Sequence, residues 1–410
     1  MTFRIHTFGC KVNLYESEAL RERLLQEGYL ESTGSKADIH FVNTCAVTKE
    51  AERKDLQRVR KIHNDDPEAK IVVLGCSSQI HPKSYDLPFV SAIYGTTKKG
   101  TCEKWEKEGR IQVEKDNRKL HYEDTPIALG EHPERAYVKV QDGCDNFCSY
   151  CLIPYARGNS RSRKEGSILA ECQTLIANGV HELVIGGIDT GSYQDPETGI
   201  RLKQLLEDIA SLPGDFRIRL SSVEITQIDS ALIDLFAANK KICPHFHIPL
   251  QSGSRKICER MNRKYDPEGF LKIVNEIREK VDFVSLTTDV IAGFPGEGEE
   301  EFQETVSFLK KVDFLRIHAF PYSERPRTAA SRLSDSVPPS TRQERVRRLL
   351  LLSKEGEQRF RNRYTGRTVQ MLVESKGKDG FYHGYSENYL PLSLRSDKDL
   401  ENTFVNVILS

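Results

Sequence analysis

At 410 residues the chain is long enough for two or three domains, each able to bury its own core. Its 60 Lys and Arg against 60 Asp and Glu give a formal net charge of +0, which excludes a partner selected by bulk charge and leaves that role to local patches. No run approaches the ~18 apolar residues of a membrane span and no apolar segment leads the chain, so a cytoplasmic protein is expected, with ten cysteines held as reduced thiols and available to metal.

From the N-terminus, strand-like runs at 3–8, 38–44, 70–75 and 90–94 alternate with helix-like runs at 16–27, 47–63, a shorter segment after 75, and 98–108. That alternation predicts a parallel sheet covered by helices over residues 1–115. Each of the first three strands ends on a cysteine, Cys10, Cys45 and Cys76. Carboxyl ends of parallel strands form the ligand crevice of open α/β sheets, so three residues far apart in sequence can meet there. Chance placement is the simpler alternative. Cys102, Cys172, Cys243 and Cys258 read as packing residues, Cys172 on a helical face with Ile168, Leu169, Leu175 and Ile176.

Residues 109–133 are charged and aperiodic and end in Gly130-Glu131-His132-Pro133, which marks a boundary. Six strand-plus-helix units follow over 133–340, with strands at 137–140, 182–185, 216–222, 245–248, 283–291 and 314–319. Parallel strands joined by helical crossovers predict a partial or atypical (β/α) barrel. The loop after its first strand holds Cys144, Cys148 and Cys151, spaced C-x3-C-x2-C. Three thiols in one loop suit a soft metal centre. A closed zinc site would want a fourth ligand, and the next candidate, His181, lies far downstream; a three-cysteine [4Fe–4S] cluster leaves one iron open instead.

A helix is expected over 341–365. Residues 342–367 carry eight Arg and one Lys against three Glu. A solvated helix face is the simpler reading of that surplus, and phosphate contact the functional one. Residues 366–410 show short β-rich runs between polar turns and predict a small antiparallel β-barrel able to bind RNA by its surface.

C-x3-C-x2-C with Tyr150 before the last cysteine resembles the radical S-adenosylmethionine (SAM) signature, and 366–410 resembles a TRAM domain. Three strand-end cysteines, a radical SAM barrel, a basic helix and a TRAM-like module, in that order, resemble the methylthiotransferases over essentially the whole chain. The resemblance implies an α/β fold: an open flavodoxin- or Rossmann-like sheet, the radical SAM barrel and the TRAM-like β-barrel. It implies two [4Fe–4S] clusters, one on Cys144, Cys148 and Cys151 that binds SAM, and an auxiliary one on Cys10, Cys45 and Cys76 that carries the sulfur. Two SAM molecules per turnover would be used, one to methylate that sulfur and one cleaved to a 5′-deoxyadenosyl radical that activates C2 of an adenine. Partners implied are tRNA, a sulfur donor and a low-potential electron donor, with no membrane and a monomeric chain.

Within that family, Gly9-Cys10-Lys11-Val12-Asn13 and Gln141-Asp142-Gly143-Cys144 look like the branch acting on N6-threonylcarbamoyladenosine; the isopentenyladenosine branch usually has Gln-Met at Lys11-Val12, and a ribosomal-protein aspartate is the third known target. A non-catalytic RNA-binding protein with structural zinc is the alternative of another class. Gly186 and Gly187 would let backbone approach the SAM amino group, although a turn is the simpler reading. Ser222, Glu224, Gln251 and Arg263 match family patterns expected to line the SAM or substrate pocket. Asn13, Asn43 and Gln79 flank the auxiliary cysteines and are candidates, with Asp189, for contacts to sulfur or substrate; Asn and Gln are equally common in turns. Gln194, Ile225 and Gly298 depart from the family pattern.

Overall fold

A computed structural model describes residues 1–97, 99, 110–114, 116, 118, 120–128 and 134–409. The helix expected at 98–108, Cys102 and the Gly130-to-Pro133 boundary lie outside the described residues. The N-terminal part runs β1 (Thr2–Thr7), α1 (Lys11–Gln26), β2 (Leu30–Glu31), β3 (Ile39–Thr44), α2 (Lys49–Asp65), β4 (Lys70–Gly75), α3 (Cys76–Ile80), β5 (Ala92–Tyr94) and β6 (Ile111–Gln112). Its sheet has the order β2-β1-β3-β4-β5-β6 with every pair parallel. β3 is buried along its whole length, which is why it reads as a near-continuous apolar run. α2 starts where Thr48 caps it, its hydroxyl accepting from the Ala51 amide, with Glu50 and Glu52 in the first turn. α1 starts five residues earlier than its periodicity predicts. Cys10 stands at its N-cap without a capping hydrogen bond, so no Ser, Thr or Asp marks the start.

The central part begins with β7 (Arg135–Lys139), β8 (Gln141–Asp142), α4 (Ile153–Arg157), β9 (Arg161–Ser162) and α5 (Glu165–Ala177). It continues through β10 (Glu182–Gly186), α6 (Leu202–Ala210), β11 (Arg217–Leu220), α7 (Ser230–Ala238), β12 (His245–His247), α8 (Arg255–Arg260), α9 (Pro267–Lys280), β13 (Ser285–Ala292), α10 (Glu299–Val312) and β14 (Arg316–Pro321). Two parallel three-stranded sheets, β11-β10-β7 and β12-β13-β14, meet at the parallel bridges Ile218↔Ile242 and Ser222↔His247. Spatial order therefore follows chain order through six strands, an arc of a barrel. The arc is closed from the N-terminal side: Val12, Tyr15 and Ala19 of α1 share the barrel's core with Ala136, Val138 and Cys172. The Tyr15 hydroxyl donates to Glu171 Oε2 on α5 at 3.3 Å.

α11 (Pro339–Arg363) leads to β15 (Thr368–Lys376), β16 (Tyr382–Ser386), β17 (Pro391–Leu394) and β18 (Phe404–Ile408), an antiparallel sheet of order β17-β16-β15-β18. Its core is shared with Phe283, Leu315 and Phe360, so the module is packed onto the barrel rather than tethered. The arginines of α11 hold that packing. Arg345 pairs with buried Glu297 at 2.8 Å, Arg359 and Arg363 with Asp313 at 2.9 and 2.5 Å, Arg348 with Glu299 at 3.1 Å and Arg367 with Asp282 at 2.5 Å. Arg361 and Arg342 donate to the Pro391 and Tyr322 carbonyls. The local surplus seen in sequence is thus largely neutralised within the fold, and neither a bare solvated face nor a free phosphate comb describes it.

The start of the barrel strands is pinned to the C-terminal sheet by one carboxylate. Glu182, wholly buried, pairs with Arg135 at 2.6 Å, Arg217 at 2.6 Å and Arg219 at 2.8 Å. Arg217 donates onward to the carbonyls of Gln370 and Tyr385, each at 3.0 Å, and Arg219 to those of Glu387 and Ser386 at 3.0 and 3.1 Å. Against the cost of burial, Arg219, Arg217 and Arg135 hold the Glu182 carboxyl well below its ordinary range. Glu182→Gln keeps the volume and removes the charge; the variant is expected to lose about 3–5 kcal/mol, read as a lower urea midpoint, with tryptic cleavage shifted to the C-terminal sheet. Because the folded pKa lies below the unfolded one, the contribution is full above the usual glutamate value and lost as pH falls toward the folded value. The wild-type advantage should therefore persist at neutral pH and shrink in strong acid; an unchanged midpoint at neutral pH would remove Glu182 from this role.

Candidate active site

Cys10 caps α1, Cys45 follows β3, and Cys76 opens α3 directly after β4. The loops that carry them are pressed together. Gly9 has φ +101, and a Cβ there would stand 2.8 Å from Cys45 Sγ; Gly75 has φ +115, and a Cβ there would stand 2.5 Å from the Thr44 carbonyl oxygen. Cys45 and Cys76 are buried and Cys10 is exposed. Burial, then the neighbouring Cys76, pushes the Cys45 thiol up to about 12; burial also raises Cys76, opposed by Arg157 and Lys99.

The three amides beside these cysteines hydrogen-bond main chain and side chains of the fold. Asn13 Nδ2 donates to the carbonyls of Phe8 and Thr44 at 2.8 and 3.0 Å. Asn43 Nδ2 donates to the Asn13 carbonyl at 2.9 Å and Ser17 Oγ at 3.0 Å. Gln79 Nε2 donates to the Glu114 carbonyl at 2.8 Å, and its Oε1 accepts from the Thr96 amide at 3.2 Å. They hold the cysteine loops in place.

Cys144, Cys148 and Cys151 lie on the loop between β8 and α4, at the carboxyl end of the first barrel strand. Each sulfur accepts a nitrogen donor. Asn146 offers its amide N and Nδ2 to Cys144 Sγ at 3.5 and 3.4 Å, Ile153 its amide to Cys151 Sγ at 3.4 Å, and Arg263 its Nη1 to Cys148 Sγ at 3.3 Å. Burial pushes the Cys144 and Cys151 thiols up to about 12, with Asp189 adding to the rise at Cys144. Asp189 Oδ2 accepts from Cys144 Sγ at 3.8 Å, while Gln227 Nε2 donates to its other oxygen at 2.7 Å. Thiols this buried hold negative charge only against a cation, and the donors aimed at sulfur are those that iron–sulfur ligands accept. The donor set of both triads therefore fits thiolate-ligated iron. Among the described residues no group of three or more His, Cys, Asp and Glu stands in ready-made metal-ligand geometry.

One buried guanidinium joins the two triads, and sequence reading missed it. Arg157, at the end of α4, is fully buried and donates Nη1 to Glu16 Oε1 at 2.8 Å and Asp142 Oδ1 at 3.0 Å, and Nη2 to Asn13 Oδ1 and Glu16 Oε2 at 2.8 and 2.9 Å. Lys139 bridges Glu16 and Asp142 at 2.7 and 2.9 Å, and Lys99 reaches Glu16 at 2.5 Å. The only sequence signal was the Arg157-Gly158 end of the cysteine loop, which does not reveal a partner on α1.

Glu224 and Arg263 pair beside Cys148, and Arg263 Nη2 donates to the Pro249 carbonyl at 3.1 Å. Gln251 adopts φ +61 at the end of β12, bridging to Val290. The glycine pair is explained by packing within the chain: a Cβ on Gly186 would meet the Tyr137 hydroxyl at 2.5 Å, and one on Gly187 the Gln141 carbonyl oxygen at 2.7 Å. Ser222 faces a barrel-lumen cavity of about 280 Å³, whose wall includes Lys11, Arg219, His247, Asp289 and Tyr389. Lys11 projects into this cavity from the residue after Cys10. Its side chain is exposed to solvent, so it is an ammonium at neutral pH.

Residues 138–309 match the Radical SAM superfamily, and residues 2–90 match Uncharacterized protein family UPF0004. Threonylcarbamoyladenosine tRNA methylthiotransferase MtaB of Thermotoga maritima is 38% identical, with 95% of this chain and 90% of that protein aligned. Its namesake in Bacillus subtilis is 35% identical, over 99% of this chain and 93% of that protein. tRNA-2-methylthio-N(6)-dimethylallyladenosine synthase of Caldicellulosiruptor saccharolyticus is 33% identical, over 99% and 89%. Among solved structures, the radical SAM methyltransferase TsrM from Kitasatospora setae superposes with TM-score 0.58 at 16% identity, covering 80% of this chain and 76% of that one. The cobalamin-dependent radical SAM enzyme OxsB gives TM-score 0.56 at 14% identity, covering 87% and 56%. At such identities the structural likeness establishes the fold alone.

Arg157→Met should unseat both cysteine loops together. After anaerobic iron reconstitution this variant is expected to retain well under half of the wild-type iron and to unfold at lower denaturant, because Glu16 and Asp142 lose one of the two cations they share and Asn13 loses its donor. Full iron loading with wild-type stability would separate the two triads energetically.

Proposed function

The chain belongs to the radical SAM tRNA methylthiotransferases, and from that premise we propose that it inserts a methylthio group at C2 of N6-threonylcarbamoyladenosine beside the anticodon. The observation that carries the reading is the joining of two cysteine triads, on two adjoining parallel-strand units, by the Arg157 network. Cys144, Cys148 and Cys151 would hold one [4Fe–4S] cluster and Cys10, Cys45 and Cys76 an auxiliary one. When loaded, the pair supplies reductive SAM cleavage at the first and a sulfur for transfer at the second, with a sulfur donor and a low-potential electron donor as further partners.

This chain's own residues contribute orientation and exclusion of water. Arg263 donates to Cys148 Sγ and is steadied by Glu224 and the Pro249 carbonyl, so it brings positive charge to a sulfur that would ligate the reducible iron. Asn146 and the Ile153 amide give Cys144 and Cys151 neutral hydrogen-bond donors instead. Arg157 keeps the auxiliary loop and the SAM loop in one register, which a transfer between the two sites requires. The lumen cavity adjoins this site through Lys11 and Ser222 and is the place where a flipped-out adenine's N6 arm would enter. Relatives named for threonylcarbamoyladenosine support the substrate, and the name of the 33% identical synthase supplies the competing one. No helix among the described residues is long and apolar enough to cross a membrane.

Anaerobically reconstituted protein should be brown with about eight irons, and colourless zinc-loaded protein would overturn the cluster reading. Cys148→Ala and Cys45→Ala should each lose about half of that iron. Cys148→Ala should form no 5′-deoxyadenosine, whereas Cys45→Ala should still form it without making product. The nucleoside itself decides the substrate: tRNA from a deletion strain should lack 2-methylthio-N6-threonylcarbamoyladenosine and regain it on complementation.

A further inference from the structure

The lumen cavity is walled by three separate parts of the chain. Lys11 enters it from the first turn of α1, Ser222, His247 and Thr287 from the barrel strands, and Tyr389 closes one end from the C-terminal sheet. Tyr389 sits in a left-handed turn at φ +66, stacked on His245 with ring centroids 4.9 Å apart and on Tyr385 at 4.8 Å. Its ring is therefore a fixed floor.

The wall is polar, and its charges are mostly committed. Asp289 stands 3.3 Å from His247 Nε2. Thr287 Oγ1 lies 2.9 Å from both His245 Nε2 and His247 Nδ1, a chain that orients both rings. Arg219 is held by Glu182 and by carbonyls of the C-terminal sheet. Lys11 is different. Among the described residues it forms no hydrogen bond or ion pair, and Arg135, Arg219 and the Glu182 carboxylate act on it only at longer range. His245 Nδ1, also in this wall, is buried without a partner. A solvent-exposed ammonium with no acceptor of its own, at the wall of a half-open cavity, is available to an incoming anion. At ~30 Å³ per water the cavity holds roughly nine waters' volume, room enough for an amino-acid arm.

We propose that this cavity receives the N6 arm of the substrate base and that the Lys11 ammonium binds the carboxylate at the end of that arm. The inference rests on the threonylcarbamoyl reading, because an isopentenyl arm is apolar and offers Lys11 nothing. A threonine joined through a carbonyl ends in a carboxylate and carries a hydroxyl, matching one cation and the hydroxyls of Ser222 and Thr287. Since Lys11 follows Cys10 directly, one loop holds an auxiliary cysteine and anchors the arm about 3.8 Å further along the chain. Binding the arm thereby sets the base relative to that cysteine. Lys11 is in this sense a specificity-determining residue.

The test uses reconstituted full-length enzyme and synthetic anticodon stem-loops carrying N6-threonylcarbamoyladenosine, its carboxamide counterpart, or isopentenyladenosine. The wild type should favour the carboxylate over the carboxamide by about 10–100-fold in kcat/KM, the range a charge-assisted hydrogen bond supplies. Lys11→Gln should bring that ratio near unity, and Lys11→Arg should keep most of it. Equal use of carboxylate and carboxamide by the wild type overturns the Lys11 assignment while leaving the substrate reading intact, and so does a preference that survives in Lys11→Gln. Because the first comparison needs no variant, a poorly folding Lys11→Gln does not shield the proposal. Methylthiolation of the isopentenyl loop alone would overturn the substrate reading itself, and the cavity's occupant with it.

Discussion

The structure depends on a guanidinium placed where no water can reach it. Arg157 is wholly buried, and its four hydrogen bonds to Glu16, Asp142 and Asn13 connect the helix after Cys10 to the strand before Cys144 and to the helix after Cys151. Lys139, Lys99 and Arg161 pair with the same acids, so two carboxylates face four bases in one cluster. A buried ion network adds little net stability over apolar packing and is strongly destabilising when one member is missing. Its use lies in geometry. Hydrophobic contact between α1 and β7 would tolerate sliding by a fraction of a turn, whereas a bidentate guanidinium fixes one register. The proposed transfer between two sulfur sites needs that register.

Much of the fold was legible because its strands are buried on both faces. The runs at 70–75 and 182–185 read as continuous apolar segments, and they became β4 and β10 at or near those limits. α9 runs over Pro267–Lys280, with Asp266 as cap and Pro267 at its first position, both start signals that the sequence carries. α1 was misplaced at its start because Cys10 gives no capping signal, and that error hid Asn13 and Glu16 inside a helix turned toward the barrel. The short α8 was missed because Arg255–Arg260 holds too few residues for a period to show.

The candidate site divides the same way. Local spacing revealed Cys144, Cys148 and Cys151, and strand ends revealed Cys10, Cys45 and Cys76, since both signals lie along the chain. Roles that depend on a distant partner were hidden. Asn13, Asn43 and Gln79 read as candidates for sulfur or substrate, or as turn formers, and each also donates to main chain of neighbouring loops, a partner that spacing does not reveal. Gly186 and Gly187 looked like room for a ligand, but Tyr137 and Gln141 already occupy the space a side chain would take. The arginines of α11 looked like a charged face because their acids, Asp282, Glu297, Glu299 and Asp313, precede them by dozens of residues.

The C-terminal sheet gains a second role from this arrangement. Glu182 and its arginines bind it to the start of the barrel strands, and Tyr389 reaches from it into the lumen. Any RNA contact made on its outer face is therefore mechanically continuous with the floor of the cavity. The same is true at the other end, where Lys11 belongs to the loop that carries Cys10. Shape in the lumen is thus set jointly by the module that carries the auxiliary cysteines and by the module at the C-terminus, and the barrel between them supplies mainly the wall. Selectivity for one N6 arm over another can then change through residues at two distant points of the sequence while the barrel and its cysteine loop stay as they are.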